Sequence, residues 1–105
     1  MKIERRRAQR IRVNLKVRWE GSLTQQEAEV TDLSVNGCFI LSGGRVEPKE
    51  LVRIEIALPD DVAIYAWAEV VEEASEIGFA VRFTSMDDND RDRLEWFIRR
   101  ALAVS

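Results

Sequence analysis

Ten residues in unbroken alternation, Ile11-Arg12-Val13-Asn14-Leu15-Lys16-Val17-Arg18-Trp19-Glu20, constrain this chain more than any other feature. Successive side chains of a strand point to opposite faces. The pattern therefore reads as a strand that carries Ile11, Val13, Leu15, Val17 and Trp19 into a core and leaves its other face in water. Strands of this half-buried kind belong to antiparallel sheets. Gly21 and Ser22 open a polar turn. Glu27–Leu33 reads as a second strand and Cys38–Ser42 as a third, joined by Ser34-Val35-Asn36-Gly37, where Asn-Gly tolerates positive φ. Gly43-Gly44 ends the third strand, Leu51–Leu58 forms a fourth, and Pro59-Asp60-Asp61 stops it. In Val62–Glu73 the β-branched and aromatic content favours a fifth strand over a helix. Gly78–Phe83 alternates again, with Phe79, Val81 and Phe83 on one side.

The period then changes. Leu94, Phe97, Ile98, Ala101 and Leu102 fall on one stripe of an amphipathic helix. Ser85, Asp87 and Asp88 are capping candidates at its start, and Arg99 and Arg100 suit its negative end. Six short strands and one helix predict an all-β fold: a six-stranded antiparallel β-barrel with a C-terminal α-helix packed against it. A barrel this small sits near the lower limit for a self-sufficient core, so the helix is expected to cover an open side. With 105 residues the chain is expected to form one domain: a flexible basic arm over 1–10, the barrel over 11–84 and the helix over 86–103.

Composition removes several function classes. Hydrophobic residues at 46% exclude wholesale disorder. The absence of histidine and the single cysteine, Cys38, exclude the usual zinc sites, the histidine triads and the cysteine–histidine dyad. No nucleophile–base pair or phosphate loop is visible in the sequence, so no enzyme and no cofactor is expected. One cysteine suits a reducing compartment. No stretch approaches the ~20 apolar residues of a membrane span, and MKIERRRAQR has no apolar segment behind its charges. A cytoplasmic protein without membrane insertion is the expectation.

The net charge of −3 conceals an asymmetry: residues 1–18 carry a net +7, and the remainder a net −10. A basic arm on an acidic body predicts a local anionic partner, and it disfavours long duplex DNA, which the body would repel. Two clusters could supply the recognition. Arg5-Arg6-Arg7-Ala8-Gln9-Arg10 precedes the first strand. Guanidinium groups bind phosphates through paired hydrogen bonds, stack on planar rings and read the O6 and N7 edge of guanine. Asp32-Leu33-Ser34-Val35-Asn36-Gly37 lies between the second and third strands. A carboxylate can accept from two parallel donors such as guanine N1 and N2, and Ser34 and Gly37 add a hydroxyl and an unhindered backbone. Either cluster alone also reads blandly, as a solvated terminus or a plain β-turn.

Arg6-x-x-x-Arg10, a strand, then Asp32-x-Ser34-x-x-Gly37 resembles the PilZ domain, a bacterial receptor family for cyclic di-GMP, and the resemblance extends over nearly the whole chain. It implies a six-stranded barrel with a closing helix and cyclic di-GMP as ligand. It implies that Arg6 and Arg10 contact phosphates and guanine edges, that Asp32 holds the Watson–Crick edge of one guanine, that Ser34 bonds a phosphate or neighbouring base, and that Gly37 keeps the turn open. It further implies that Arg5 favours a stacked ligand pair, two molecules per chain. A downstream protein would then read the ordered arm, the chain itself being a monomer or weak homodimer. The alternatives are an adaptor on the same fold that is blind to nucleotide and acts through protein contacts, and a single-strand-binding barrel with an aromatic platform, which the acidic body disfavours.

Of the other residues, Trp19 is expected in the core, Trp96 half-exposed on the helix, and Cys38 buried as a small filler. Trp67 reads equally as facing ligand, core or partner. Asp87, Asp88, Asp90 and Asp92 lack the spacing of a calcium loop and read as a solvated helix start.

Overall fold

The computed structural model describes residues 9–74 and 77–104. Its elements are β1 (Ile11–Glu20), β2 (Gln25–Leu33), β3 (Gly37–Leu41), β4 (Leu51–Ala57), β5 (Ala63–Ala74), β6 (Gly78–Met86) and α1 (Asp88–Ala103). The strands form a closed barrel in the order β1-β2-β3-β6-β5-β4, and every neighbouring pair is antiparallel. The expected all-β barrel with one terminal helix is the observed fold. Strand bounds shift by one or two residues at β2 to β5, and at the end β6 continues to Met86 and α1 begins at Asp88 rather than 86.

One expectation is corrected. The helix does not cover an open side, because β4 returns to β1 and pairs Ile56, Glu55, Ile54 and Arg53 with Val17, Arg18, Trp19 and Glu20. A strongly twisted sheet of six strands thus meets its own edge, and hydrogen bonds close the circuit. α1 lies over β5 and β1 and buries Leu94 and Ile98. Among the described residues, no helix is long and apolar enough to cross a membrane.

The alternation of β1 is realised as burial. Leu15, Val17 and Trp19 are buried, with Ile11 and Val13 packed at the margin of the same cluster. Trp19 is fully enclosed and meets Phe79 edge-on, ring centroids 5.1 Å apart at 78°. Such a pair contributes roughly 0.5–1.5 kcal/mol beyond its buried area. The Trp19 indole N–H donates to Ser42 Oγ at 3.2 Å, which satisfies its one polar atom. Cys38 is buried, and burial pushes its thiol up to about 12, as befits a filler rather than a reactive group.

On β2 strict alternation fails. Val30 and Leu33 are both fully buried, although an odd spacing puts them on opposite faces of a regular strand. The pairing shows the remedy: Val30 faces Ile40 but Asp32 faces Phe39, so Thr31 is an extra residue in a bulge. The bulge flips the side-chain parity and turns Asp32 outward. Another bulge lies on β5, where Val70 faces Val81 and Glu72 faces Ala80, leaving Val71 between them.

At the helix start Asp87, Asp88 and Asp92 are solvated as expected, but Asp90 is not. Asp87 occupies the cap without a side-chain cap hydrogen bond, and neither Ser85 nor Asp88 stands at the cap. Asp90 is buried instead: its Oδ2 accepts the Tyr65 backbone N–H at 3.1 Å, and its Oδ1 accepts Arg93 Nη1 at 3.0 Å. This carboxylate ties α1 to β5. On the opposite side, the Glu50 carboxylate accepts Ser22 N at 2.9 Å, Ser22 Oγ at 3.1 Å and Glu47 N at 2.9 Å, clamping the β1–β2 turn to the approach of β4. Partial burial alone would raise its pKa, but these hydrogen bonds favour the anion and leave it lowered. Lys49 and Asp61, at φ 70 and 63, are the non-glycine residues in the left-handed region among those described.

Candidate functional site

The bulges at Thr31 and Val71 flank a hollow of about 340 Å³ on the outer wall of the barrel. Arg10 and Asp32 line it with Ser34, Asn36 and Gly37 of the β2–β3 turn, and Phe39, Val71, Ala80 and Arg82 complete its floor. Arg10, Asp32, Ser34 and Gly37 are thus brought together. Arg5 and Arg6 lie outside the described residues. A larger hollow of about 620 Å³ lies between the β4–β5 turn and α1, lined by Leu58, Pro59, Trp96 and Phe97. It gathers none of the motif residues, and the smaller hollow is the better candidate on chemistry.

Asp32 reaches the hollow because of the Thr31 bulge, and its carboxylate is held there from β1. Arg12, its cross-strand neighbour, places Nε 3.4 Å from Asp32 Oδ1. A third of the Asp32 side chain is exposed, and its carboxylate keeps acceptor capacity beyond the Arg12 contact. Arg12 was not expected at the site, although its place on the outward face of an alternating strand was the available signal.

The turn is built differently from the expectation. Neither Asn36 nor Gly37 has positive φ, so the Asn-Gly pair is not present for left-handed geometry. Ser34 closes the turn instead. Its backbone N–H donates to Gly37 O at 2.9 Å, and its Oγ accepts the N–H groups of Asn36 and Gly37 at 3.1 and 3.2 Å. The hydroxyl proton reaches only Gly37 O at 3.4 Å, a long contact that leaves it free to turn toward another acceptor. Gly37 is required for close approach rather than for φ. A Cβ there would lie 2.1 Å from the Val81 carbonyl oxygen and 3.2 Å from Arg82 Cα. The strand-to-strand contact between β3 and β6 at the rim of the hollow therefore needs glycine.

The tryptophans stand apart from the hollow. Trp67 faces outward on β5, 45% exposed, with the Arg53 guanidinium 5.5 Å from its ring centroid. Trp96 is half-exposed on α1 as expected, beneath Arg100 at 4.5 Å.

A comparison with curated proteins finds no match. Among solved structures, the inhibitor of motility (MotI/DgrA) of Bacillus subtilis superposes with a TM-score of 0.79 at 22% identity, over 98% of this chain and 54% of its own. YcgR of Escherichia coli in complex with c-di-GMP gives 0.76 at 17% identity, over 96% of this chain and 47% of its own. The PilZ domain of YcgR with c-di-GMP gives 0.74 at 14% identity, over 92% and 91%. At these identities the likeness is one of fold, and this chain spans about half the length of the first two. The sequence itself goes further than the fold. The sequence model of the PilZ domain matches residues 4–100, a span that takes in both arginine and aspartate clusters and all six strands, and the chain belongs to the PilZ domain family.

Proposed function

We propose that the hollow binds cyclic di-GMP and that the chain is a second-messenger receptor module without catalysis. One observation carries the reading: Arg10 and the Asp32, Ser34 and Gly37 of a turn far from it in sequence line one hollow on the barrel wall. Membership of the PilZ family and the two YcgR structures named with c-di-GMP support it. The arm would bring Arg5, Arg6 and Arg10 onto phosphates and guanine faces, while Asp32 accepts the N1 and N2 donors of one guanine and Ser34 donates to a phosphate. Arg5 would favour a stacked pair of ligands. Fixing the arm costs of order 1–2 kcal/mol per backbone residue, which several charge-assisted contacts offset. A partner protein would then read the ordered arm. The alternative is an adaptor on this fold that ignores nucleotide.

Calorimetric titration with cyclic di-GMP at moderate salt tests the reading and reports the stoichiometry. Binding that is mostly lost in Arg6→Ala and Arg10→Ala, and that Asp32→Ala weakens strongly for cyclic di-GMP and only slightly for its adenine analogue, is expected. Absence of heat at hundred-micromolar ligand would overturn the receptor reading in favour of the adaptor. Saturation at one ligand per chain would remove the stacked pair alone.

A further inference from the structure

We infer that Arg82 is a further ligand-binding residue of this hollow, and that Glu69 holds its guanidinium in the free protein until the ligand's phosphate displaces it. The inference rests on the cyclic dinucleotide reading above. Arg82 lies on the outward face of β6, whose Phe79, Val81 and Phe83 turn into the core. Its cross-strand neighbour on β3 is Gly37. A glycine there leaves the flank of Arg82 bare toward the motif turn, and Arg82 lines the hollow together with Asp32, Ser34 and Arg10. On its other flank Arg82 faces Glu69 of β5, and the two form an ion pair through Nη2.

That pair can be exchanged at little cost. The Arg82 side chain is 57% exposed against 25% for Glu69, so water screens the pair from the guanidinium side and its contribution is modest. A guanidinium carries several N–H donors in one plane and matches a phosphodiester through two of them, which a single carboxylate contact does not use up. Glu69 does not line the hollow, yet it places a negative charge beside Arg82, the strand cation among the described residues that lines it. An incoming phosphate therefore meets both a competitor and a like charge. Removing the carboxylate should free Arg82 and favour the anion.

The test is titration of cyclic di-GMP into the full chain, wild type against Arg82→Gln, Arg82→Lys and Glu69→Gln, at two salt concentrations. Arg82→Gln is expected to weaken binding about tenfold and to flatten its salt dependence, as loss of a phosphate contact does. Arg82→Lys should fall between, keeping the charge and losing the fork. Glu69→Gln should tighten binding by roughly threefold, the effect of removing one screened charge nearby. Melting temperatures close to wild type for all three identify these as binding effects. Arg82→Gln binding within about twofold of wild type would overturn the inference while leaving the receptor reading intact, and Glu69→Gln weakening binding would overturn the displacement. A wild-type chain that binds nothing removes the receptor reading itself, and the inference with it.

Discussion

Replacing Gly37 by alanine separates two accounts of the same glycine. If it only keeps a turn open for ligand, the unliganded fold should not notice a methyl group. The structure gives a different answer. The new Cβ would sit 2.1 Å from the Val81 carbonyl oxygen, more than 1 Å inside ordinary contact, and the obstacle is backbone rather than a movable side chain. β3 and β6 must therefore part at this point. Their separation strains the bond from Phe83 N to Asn36 O, 2.8 Å long, and the Ser34–Gly37 bond at 2.9 Å that closes the turn. Forced overpacking of this kind costs typically 1–3 kcal/mol. For a domain of this size that lowers the melting temperature by roughly 5–20 °C. Thermal and urea denaturation without ligand measure it, with Asp32→Ala as a control that removes only a partly exposed ion pair with Arg12 and should cost less than about 1 kcal/mol. A Gly37→Ala protein that melts within about 2 °C of wild type would refute the close-approach argument.

Other perturbations probe separate parts of the fold. Asp90→Ala removes the acceptor of Tyr65 N–H and should cost about 1–3 kcal/mol in urea titration, with Asp90→Asn losing less because its amide oxygen still accepts. Lys49→Gly should raise stability by about 0.5–1 kcal/mol, since φ of 70 suits glycine, whereas Asp61→Gly should change little because aspartate tolerates that region better. For Cys38 the folded pKa is raised from 9.0 to about 12, so its contribution is intact below pH 9 and is lost as pH rises through that window. By pH 10 the wild type should have lost about 1–2 kcal/mol that Cys38→Ala does not lose, a difference in slope readable by denaturation at pH 8 and pH 10.

What could be read beforehand follows from which forces are periodic. Burial imposed period two on β1 and β6 and period 3.6 on α1, and those elements were legible in Trp19, Phe79 and Leu94 alike. The barrel was legible too, but the register that closes it was not, because the pairing of Val17–Glu20 with Arg53–Ile56 depends on sheet twist summed over six strands. Nor was the bulge at Thr31, although two apolar residues at odd spacing, Val30 and Leu33, were its trace in the sequence. Asp90 looked like one acid among four, and nothing local distinguishes the one that finds a buried backbone donor. At the site, Arg10 and Asp32 were legible because they belong to a spaced motif. Arg12 and Arg82 were not, since a single arginine on the wet face of a strand is the commonest solution for solubility.

The aspartate motif also divides by the work that each residue does in the free protein. Ser34 and Gly37 are already engaged, one as acceptor for two backbone N–H groups, the other as the point where β3 touches β6. Asp32, Arg10 and Arg82 face outward and are held, where they are held at all, by ion pairs at the surface. Loss of the first pair should therefore lower stability and binding together, and loss of the second group binding alone. A member of this fold could shed ligand recognition by changing Asp32 or Arg10 while keeping Ser34 and Gly37 for the barrel. The serine and glycine of the motif are thus weak witnesses to ligand binding, and the aspartate and arginines are the strong ones. In this chain Asp32 and Arg10 meet on the same wall.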